Sequence, residues 1–408
     1  LGGGARWWWL LVLAAGAGSA LYGILQATVA TDLKQLLAYS TVENMGLVFV
    51  GVGAAGVLQA SGSPELAGLA LAAALLHVIN HAAFKTLLFG AAGSVVHATG
   101  TADLDRLGGL RQRMPATTAL FALGALCASA LPTGNGFVSE WLLLQSLVHA
   151  VPTGGVVTAV AMPIAVATVA LTAGLAVATF VKALGVGFFA RPRDPGASTA
   201  VESPPSMLGA LTAAALACLA LALAPAALAP MLSRAVGEVV ALPSDVLSGP
   251  VTVRLSGISS TFAPALITAT LVAGVVATAV VARLVRLRVR RRRAAALWDC
   301  GAGAPTARMQ YTGTSFAEPL QRVFDDVLAP QIDVDVTPYQ ESRYLVRRLA
   351  YRRRVPDRIE HRLYLPVLAA ARHLRRLSPI LANGSVHRYL GYGLAGVATL
   401  LLVLAVAA

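Results

Sequence analysis

The sequence predicts an all-α membrane protein: a polytopic transmembrane helix bundle of about eight spans, one of them broken, with a basic cytoplasmic or interfacial helical segment beside it. Three observations carry this expectation. Only 12% of the 408 residues are charged and 57% are hydrophobic, whereas a soluble domain carries about a quarter charged residues. Apolar stretches recur at the length of about 20 residues that a bilayer crossing needs. They lack the alternation of barrel strands, so helices must satisfy their backbone in lipid.

The first stretch, 7–28, follows Arg6 and the triplet Trp7, Trp8, Trp9, an interfacial anchor ahead of a span. Stretches 36–58 and 68–97 follow. Residues 116–148 hold Leu131, Pro132, Thr133, Gly134, Asn135 and Gly136 near their middle; proline and glycine there predict unwinding. Irregular backbone at membrane depth is tolerated inside protein or beside water, and broken helices recur at ion sites. A re-entrant or merely kinked helix is the plainer reading.

Stretches 157–190, 207–232 and 261–283 come next, and 388–408 closes the chain. The 261–283 helix runs on into Arg283, Arg286, Arg288 and the arginines 290–293, so it reads as a helix leaving the membrane. Within 284–387, residues 298–315 are rich in Gly, Thr and Pro and read as a loop. Residues 316–328 and 358–377 each predict a helix with one apolar and one basic side, lying in the interface or belonging to a small solvated domain. The expected organisation is a core at 1–190, further spans at 191–283, the basic segment 284–387 and a last helix at 388–408.

The formal charge is +13, and most of the excess lies in 284–387. Flanked by spans, such a block faces anionic lipid or partner subunits, and nucleic acid is not the expected partner. Basic residues also mark loops 29–35 (Lys34), 98–115 (Arg106, Arg111, Arg113) and 191–206 (Arg191, Arg193). Loops 59–67 and 149–156 have no Lys or Arg; in 233–260, Arg234 and Arg254 are offset by Glu238 and Asp245. The positive-inside rule then puts the basic loops in the cytoplasm and both termini outside a cell membrane. Cys127, Cys218 and Cys300 are far apart with no CxxC pair, which gives neither a disulfide framework nor a cluster site.

Ionisable side chains inside spans are costly and usually line an ion path or a bundle interior. In LLHVINHAAFKTLLF, His77, His81 and Lys85 are spaced four and four, which makes one helical stripe about 12 Å long. Histidine passes protons near neutral pH, and a buried lysine becomes switchable. Packing histidines, or a metal pair at His77 and His81, fit the same spacing, although no carboxylate shares the stripe. Glu140 follows the break in NGFVSEWLLLQ, and Glu43 stands beside Asn44 in AYSTVENMG. Glu140 reads as a proton acceptor or as an interfacial glutamate. Lys34 and Lys182, at span ends, read as path residues or as snorkelling side chains. No Walker loop, dinucleotide fingerprint or GxSxG occurs, so no cofactor, metal or catalytic constellation is expected.

DLKQLLAYSTVENMG, HVINHAAFKTLLF, LGGLRQRMP and LPTGNGFVSEW, in that order and at those separations, resemble the antiporter-like proton-translocating membrane subunits of complex I-related enzymes. This resemblance spans about residues 30–190. LWDCGAGAPTARMQYTGTSFAEPL and the variant VENMG resemble hydrogenase-4 component B and the formate hydrogenlyase membrane subunit. The resemblance implies Lys85 as the central lysine of a half-channel, with His77 and His81 as its relay and Glu140 as the terminal ionisable residue, where some members have lysine. It implies other membrane and hydrophilic subunits of a hydrogenase-type complex as partners, the proton as cargo, and no quinone here. In that family an earlier half supplies a second broken helix and a glutamate–lysine pair. The sequence corresponds to the latter half and reads as part of a longer pattern. A sodium/proton antiporter subunit and a structural membrane anchor are the competing expectations.

Overall fold

The computed structural model describes residues 4–152, 155–189, 191–240, 247–248, 253–255, 261–288, 306–339, 342–374 and 384–407. Cys300, the arginines at 290–293 and the start of the LWDCGAGAPTARMQ motif lie outside the described residues. The chain forms two compact units, Leu1–Leu328 and Ala329–Ala408.

The first unit is helical in the manner the apolar pattern dictates. Its longer helices are α1 (Arg6–Val29), α2 (Leu33–Gln59), α3 (Pro64–Thr99), α4 (Pro115–Ala128), α5 (Asn135–Ala150), α6 (Gly155–Lys182), α7 (Pro205–Leu223), α8 (Pro264–Arg288) and α9 (Gly313–Val323). Starts and stops follow local chemistry. Asp32 caps α2 by accepting from Gln35 N at 2.9 Å. Proline opens α3 and α4, where its missing N–H costs nothing. α3 ends on Gly100, left-handed at φ +74°. α6 widens into a π-helical turn, Ala183–Phe189.

α3 lies at the centre, against α2, α4, α5 and α7. α1 and α2 pack closely because small residues face each other: a Cβ on Gly16 would stand 2.6 Å from Val50 N. In lipid such close backbone approach is the main source of helix–helix attraction. Gly23 likewise lets α1 lie against the backbone of Glu43.

The expected break is present. α4 stops at Ala128 and α5 starts at Asn135. Between them Ala130 (φ +49°) and Thr133 (φ +87°) occupy a region that non-glycine residues avoid, costing of order 1–3 kcal/mol each. Gly134 and Gly136 fold back against the backbone of Cys127; a side chain at either would collide there.

Among the described residues, seven helices are long and apolar enough to cross a membrane. These correspond to seven of the eight expected stretches; the remaining one, 116–148, is divided between the shorter helices α4 and α5. α8 runs to Arg288, continuing past the apolar stretch as its sequence predicts. The basic loops meet at one end of this unit. Leu33 N donates to Ala102 O and Leu104 N to Thr31 O, both at 2.8 Å. Arg106 pairs with Asp194 at 2.6 Å.

The second unit adds one element to the expectation. The basic segment was expected to carry helices at 316–328 and 358–377, and helices lie within both ranges, but 331–354, for which no element was expected, is an antiparallel hairpin, β1 (Gln331–Tyr339) with β2 (Ser342–Arg354). The reason is the alternation Ile332, Asp333, Val334, Asp335, Val336, a period of two carried by β-branched residues. A helix, α10 (Leu365–Leu374), and the last apolar helix, α11 (Val386–Ala407), follow.

Candidate functional site, a buried polar line across three helices

The His77, His81, Lys85 stripe faces the inside of the bundle along most of its length. Glu43 (2% exposed), His77 (3%), Lys85 (5%) and Glu140 (7%) are all buried, although each is a group that water would otherwise hold. His81 is half-buried, with the edge of its ring against Phe84, centroids 5.4 Å apart. Phe84 meets His77 the same way at 6.5 Å. One aromatic ring therefore steadies both imidazoles.

His77 joins the neighbouring helices. Its Nδ1 stands 2.9 Å from Ser139 Oγ on α5, and its Nε2 stands 3.0 Å from Asn44 Oδ1 on α2. Asn44 Nδ2 donates to Ser40 O at 2.6 Å and approaches Glu43 Oε2 at 3.4 Å. Ser40 Oγ donates to the same carboxylate oxygen at 3.2 Å. Beyond His77, Asn80 Nδ2 donates to Ser139 Oγ at 3.0 Å and to Asn135 O at 2.8 Å; Asn135 Nδ2 returns a bond to Asn80 O at 3.2 Å. The network thus ends on the first residue of α5, where the unwound break leaves backbone groups free to bond.

The charged groups bracket this network. Lys85 Nζ donates to Leu37 O on α2 at 3.0 Å. Glu43 lies within electrostatic range of both Lys85 and Glu140, so the carboxylate of α2 links the stripe on α3 with the acid that follows the break. His81 Nε2, Asn80 Oδ1 and Asn135 Oδ1 are buried without a protein partner.

Of the residues singled out from sequence, His77, His81, Lys85, Glu43 and Glu140 are brought together. Lys34 is not: it is exposed on the first turn of α2. Asn44, Asn80, Asn135 and Ser139 complete the network. Only the adjacency of Asn44 to Glu43, of Asn80 to the stripe and of Ser139 to Glu140 hinted at them. Lys182 is fully buried. Its ammonium donates to Thr28 O at 2.5 Å, Ala30 O at 2.7 Å and Ala27 O at 3.4 Å. These carbonyls belong to the end of α1, whose last turn has no helical donors left, and a cation there also suits the helix dipole. Thr28 and Thr179 hydroxyls meet beside it at 2.8 Å.

At the basic-loop end, Glu202 caps α4 from a distance. It accepts from Thr117 Oγ1 at 2.6 Å, Ala116 N at 2.7 Å and Thr117 N at 3.3 Å, and from Ser203 N at 2.9 Å. Burial alone would raise its pKa, but the Thr117 hydroxyl and the three amides outweigh it and hold the carboxyl below its usual value. Asp194 is lowered chiefly by its hydrogen bond to Arg106.

Residues 4–165 match the sequence profile of the family described as NADH:quinone oxidoreductase/Mrp antiporter, TM. An uncharacterized protein of Mycobacterium tuberculosis is 53% identical over 407 residues, which are 99% of this chain and 63% of that protein. Hydrogenase-4 component B of Escherichia coli is 34% identical over 400 residues, 97% of this chain and 58% of that protein. The chain therefore spans about three fifths of the length of these relatives. A subunit of the membrane-bound sulfane sulfur reductase, an archaeal respiratory membrane complex, shares the fold: TM-score 0.65 at 21% identity, covering 100% of this chain and 57% of that one. The chain, with seven helices long and apolar enough to cross a membrane among its described residues, is similar along nearly its whole length to hydrogenase-4 component B, and over residues 4–165 it matches the NADH:quinone oxidoreductase/Mrp antiporter transmembrane family.

Proposed function

We propose that this chain is the proton-translocating part of a membrane subunit in a hydrogenase-4 or formate hydrogenlyase-type complex, with a half-channel running along α3 into the broken helix. The observation that carries this reading is the continuous hydrogen-bonded line from Glu43 and Asn44 through His77 and Ser139 to Asn80 and Asn135. Lys85 and Glu140 stand beside it. A merely structural bundle has no need to bury two carboxylates, an ammonium and an imidazole together, because each costs several kcal/mol to desolvate.

Each part has a step. Lys85 accepts and releases a proton while Glu43 supplies the opposing charge. Neutral imidazole binds a proton at one ring nitrogen and gives one up from the other, so His81 and His77 carry it along the stripe. Ser139, whose hydroxyl meets His77, is followed in the chain by Glu140, which is the exit acid. The buried, unpartnered His81 Nε2, Asn80 Oδ1 and Asn135 Oδ1 call for water, since an unpaired buried polar atom costs about 1–3 kcal/mol. That favours a hydrated route past the break. In a low-dielectric interior each charge biases the next, so a change at one end, driven by redox work in partner subunits, moves the proton at the other. On this reading the basic loops are cytoplasmic and the termini outside. Lys34 has no step.

Glu43→Gln and Glu140→Gln in the assembled membrane complex test the proposal. Both should abolish proton release into vesicles while hydrogenase turnover continues. Wild-type pumping in both would remove the reading. The family description also covers Mrp antiporters, and the same line of groups would serve a sodium/proton antiporter. Sodium-dependent exchange without redox turnover would favour that alternative.

A further inference from the structure

The segment 306–323, which contains the second half of the LWDCGAGAPTARMQYTGTSFAEPL motif, has no step in proton movement, yet it is fastened down with care. Gln310 bonds both backbone groups of Arg191, at 2.9 and 3.0 Å. Arg193 donates to Leu107 O, Val186 O and Tyr311 O. Asp105 accepts from Thr314 N at 3.1 Å and from its hydroxyl at 2.5 Å, and Thr312 with Ser315 closes a capping box on α9.

Between this strap and the end of α6 lies a cavity of about 490 Å³, lined by Val181, Gly185 and Val186 on one side and by Gln310, Tyr311, Ser315, Phe316 and Pro319 on the other. Its size is that of a small-molecule site. Two of the polar side chains on its wall are already engaged: both ends of Gln310 bind Arg191, and Ser315 binds Thr312. An occupant therefore meets mainly apolar surface.

We infer that this cavity holds the acyl chain of an anionic phospholipid. Two observations choose lipid. First, α6 keeps Val160, Ile164, Leu171 and Val181 exposed along its length, the face a membrane helix turns to acyl chains, and the cavity continues that face at the basic-loop end. Second, exposed arginines stand on the neighbouring segments. Arg308, two residues before Gln310, is exposed, as is Arg111, whose guanidinium lies 5.5 Å over the Phe189 ring at the end of the π-turn. Headgroup phosphate is the group such exposed arginines attract. The strap then acts as a clasp that closes over one lipid chain.

Gly185, on the cavity wall, supplies the test, because a Cβ built there meets open space; Gly185→Leu adds a bulky side chain at that wall. The assembled complex is placed in phosphatidylcholine nanodiscs doped with a photoactivatable phosphatidylglycerol or, separately, the matching phosphatidylcholine probe, and cross-linked peptides are mapped. We expect adducts on 181–186 and 310–319, favoured for phosphatidylglycerol by about fivefold for each arginine engaged. They should be lost in Gly185→Leu, and the anionic preference should be lost in Arg308→Ala with Arg111→Ala. Adducts elsewhere only, adducts unchanged in Gly185→Leu, equal labelling by both probes, or a partner subunit's helix in the cavity would each overturn the inference.

Discussion

His77 reaches Asn44 on one side and Ser139 on the other, at 3.0 and 2.9 Å, so a single imidazole ties the helix bearing Glu43 to the helix bearing Glu140. Both ring nitrogens are engaged, and a proton gained at one must be answered by a donor or acceptor change at the other. The ring's tautomer is thereby coupled to the state of both neighbouring helices.

Ser139→Ala removes the contact to α5 and leaves Asn80 Nδ2 with one acceptor fewer. A hydrogen bond of this kind is worth about 1 kcal/mol, and 1.36 kcal/mol is a factor of ten in rate. Proton release in proteoliposomes, followed with a pH-sensitive dye, should slow by roughly fivefold to tenfold, and Ser139→Thr should restore most of it. An unchanged rate in Ser139→Ala would take this hydroxyl out of the path.

Asn44→Leu isolates Glu43 from His77 while keeping its charge. Pumping should fall to a small fraction of wild type, with hydrogenase turnover in the partner subunits retained. Loss of assembly on a native gel, rather than of pumping, would assign Asn44 a packing role instead.

Lys182→Met takes the ammonium away from the carbonyls of Ala27, Thr28 and Ala30. Each orphaned carbonyl costs about 1–3 kcal/mol, so the apparent Tm in detergent should drop by several degrees. Lys182→Arg should recover part of the loss. A wild-type melting curve for Lys182→Met would mean that the end of α1 finds other donors.

Glu202 has a pKa held below its usual value by Thr117 and three backbone amides. A carboxylate with a depressed folded-state pKa stabilises the protein above its unfolded pKa and loses that contribution as pH falls through the folded value. Glu202→Gln should therefore melt below wild type at neutral pH, and the two curves should converge as the pH drops under roughly 4. Parallel curves across that range would contradict the assignment.

Much of this architecture could be read from residues alone, for reasons that are local. Span positions follow from run length and the cost of an unsatisfied backbone in lipid. The break followed from Pro132, Gly134 and Gly136, and the stripe from a spacing of four and four on α3. What could not be read depends on which helices touch. Nothing near His77 in sequence names Asn44 or Ser139 as its partners; the close α1–α2 packing at Gly16 and Gly23 and the fold-back of Gly136 onto Cys127 set those distances. Lys182 looked like a snorkelling side chain because its acceptors lie more than 150 residues away. The hairpin at 331–354 was not read from sequence because arginines interrupt the alternation of β2 and leave no clear period of two there.

Lys85→Ala gives the most direct measurement. It deletes the one ammonium on the stripe, and the small residue leaves the α3 backbone free to keep its shape. Measured as protons released per hydrogen turned over, in sealed vesicles containing the assembled complex, the ratio should fall close to zero with turnover preserved. A ratio equal to wild type would contradict proton movement along α3.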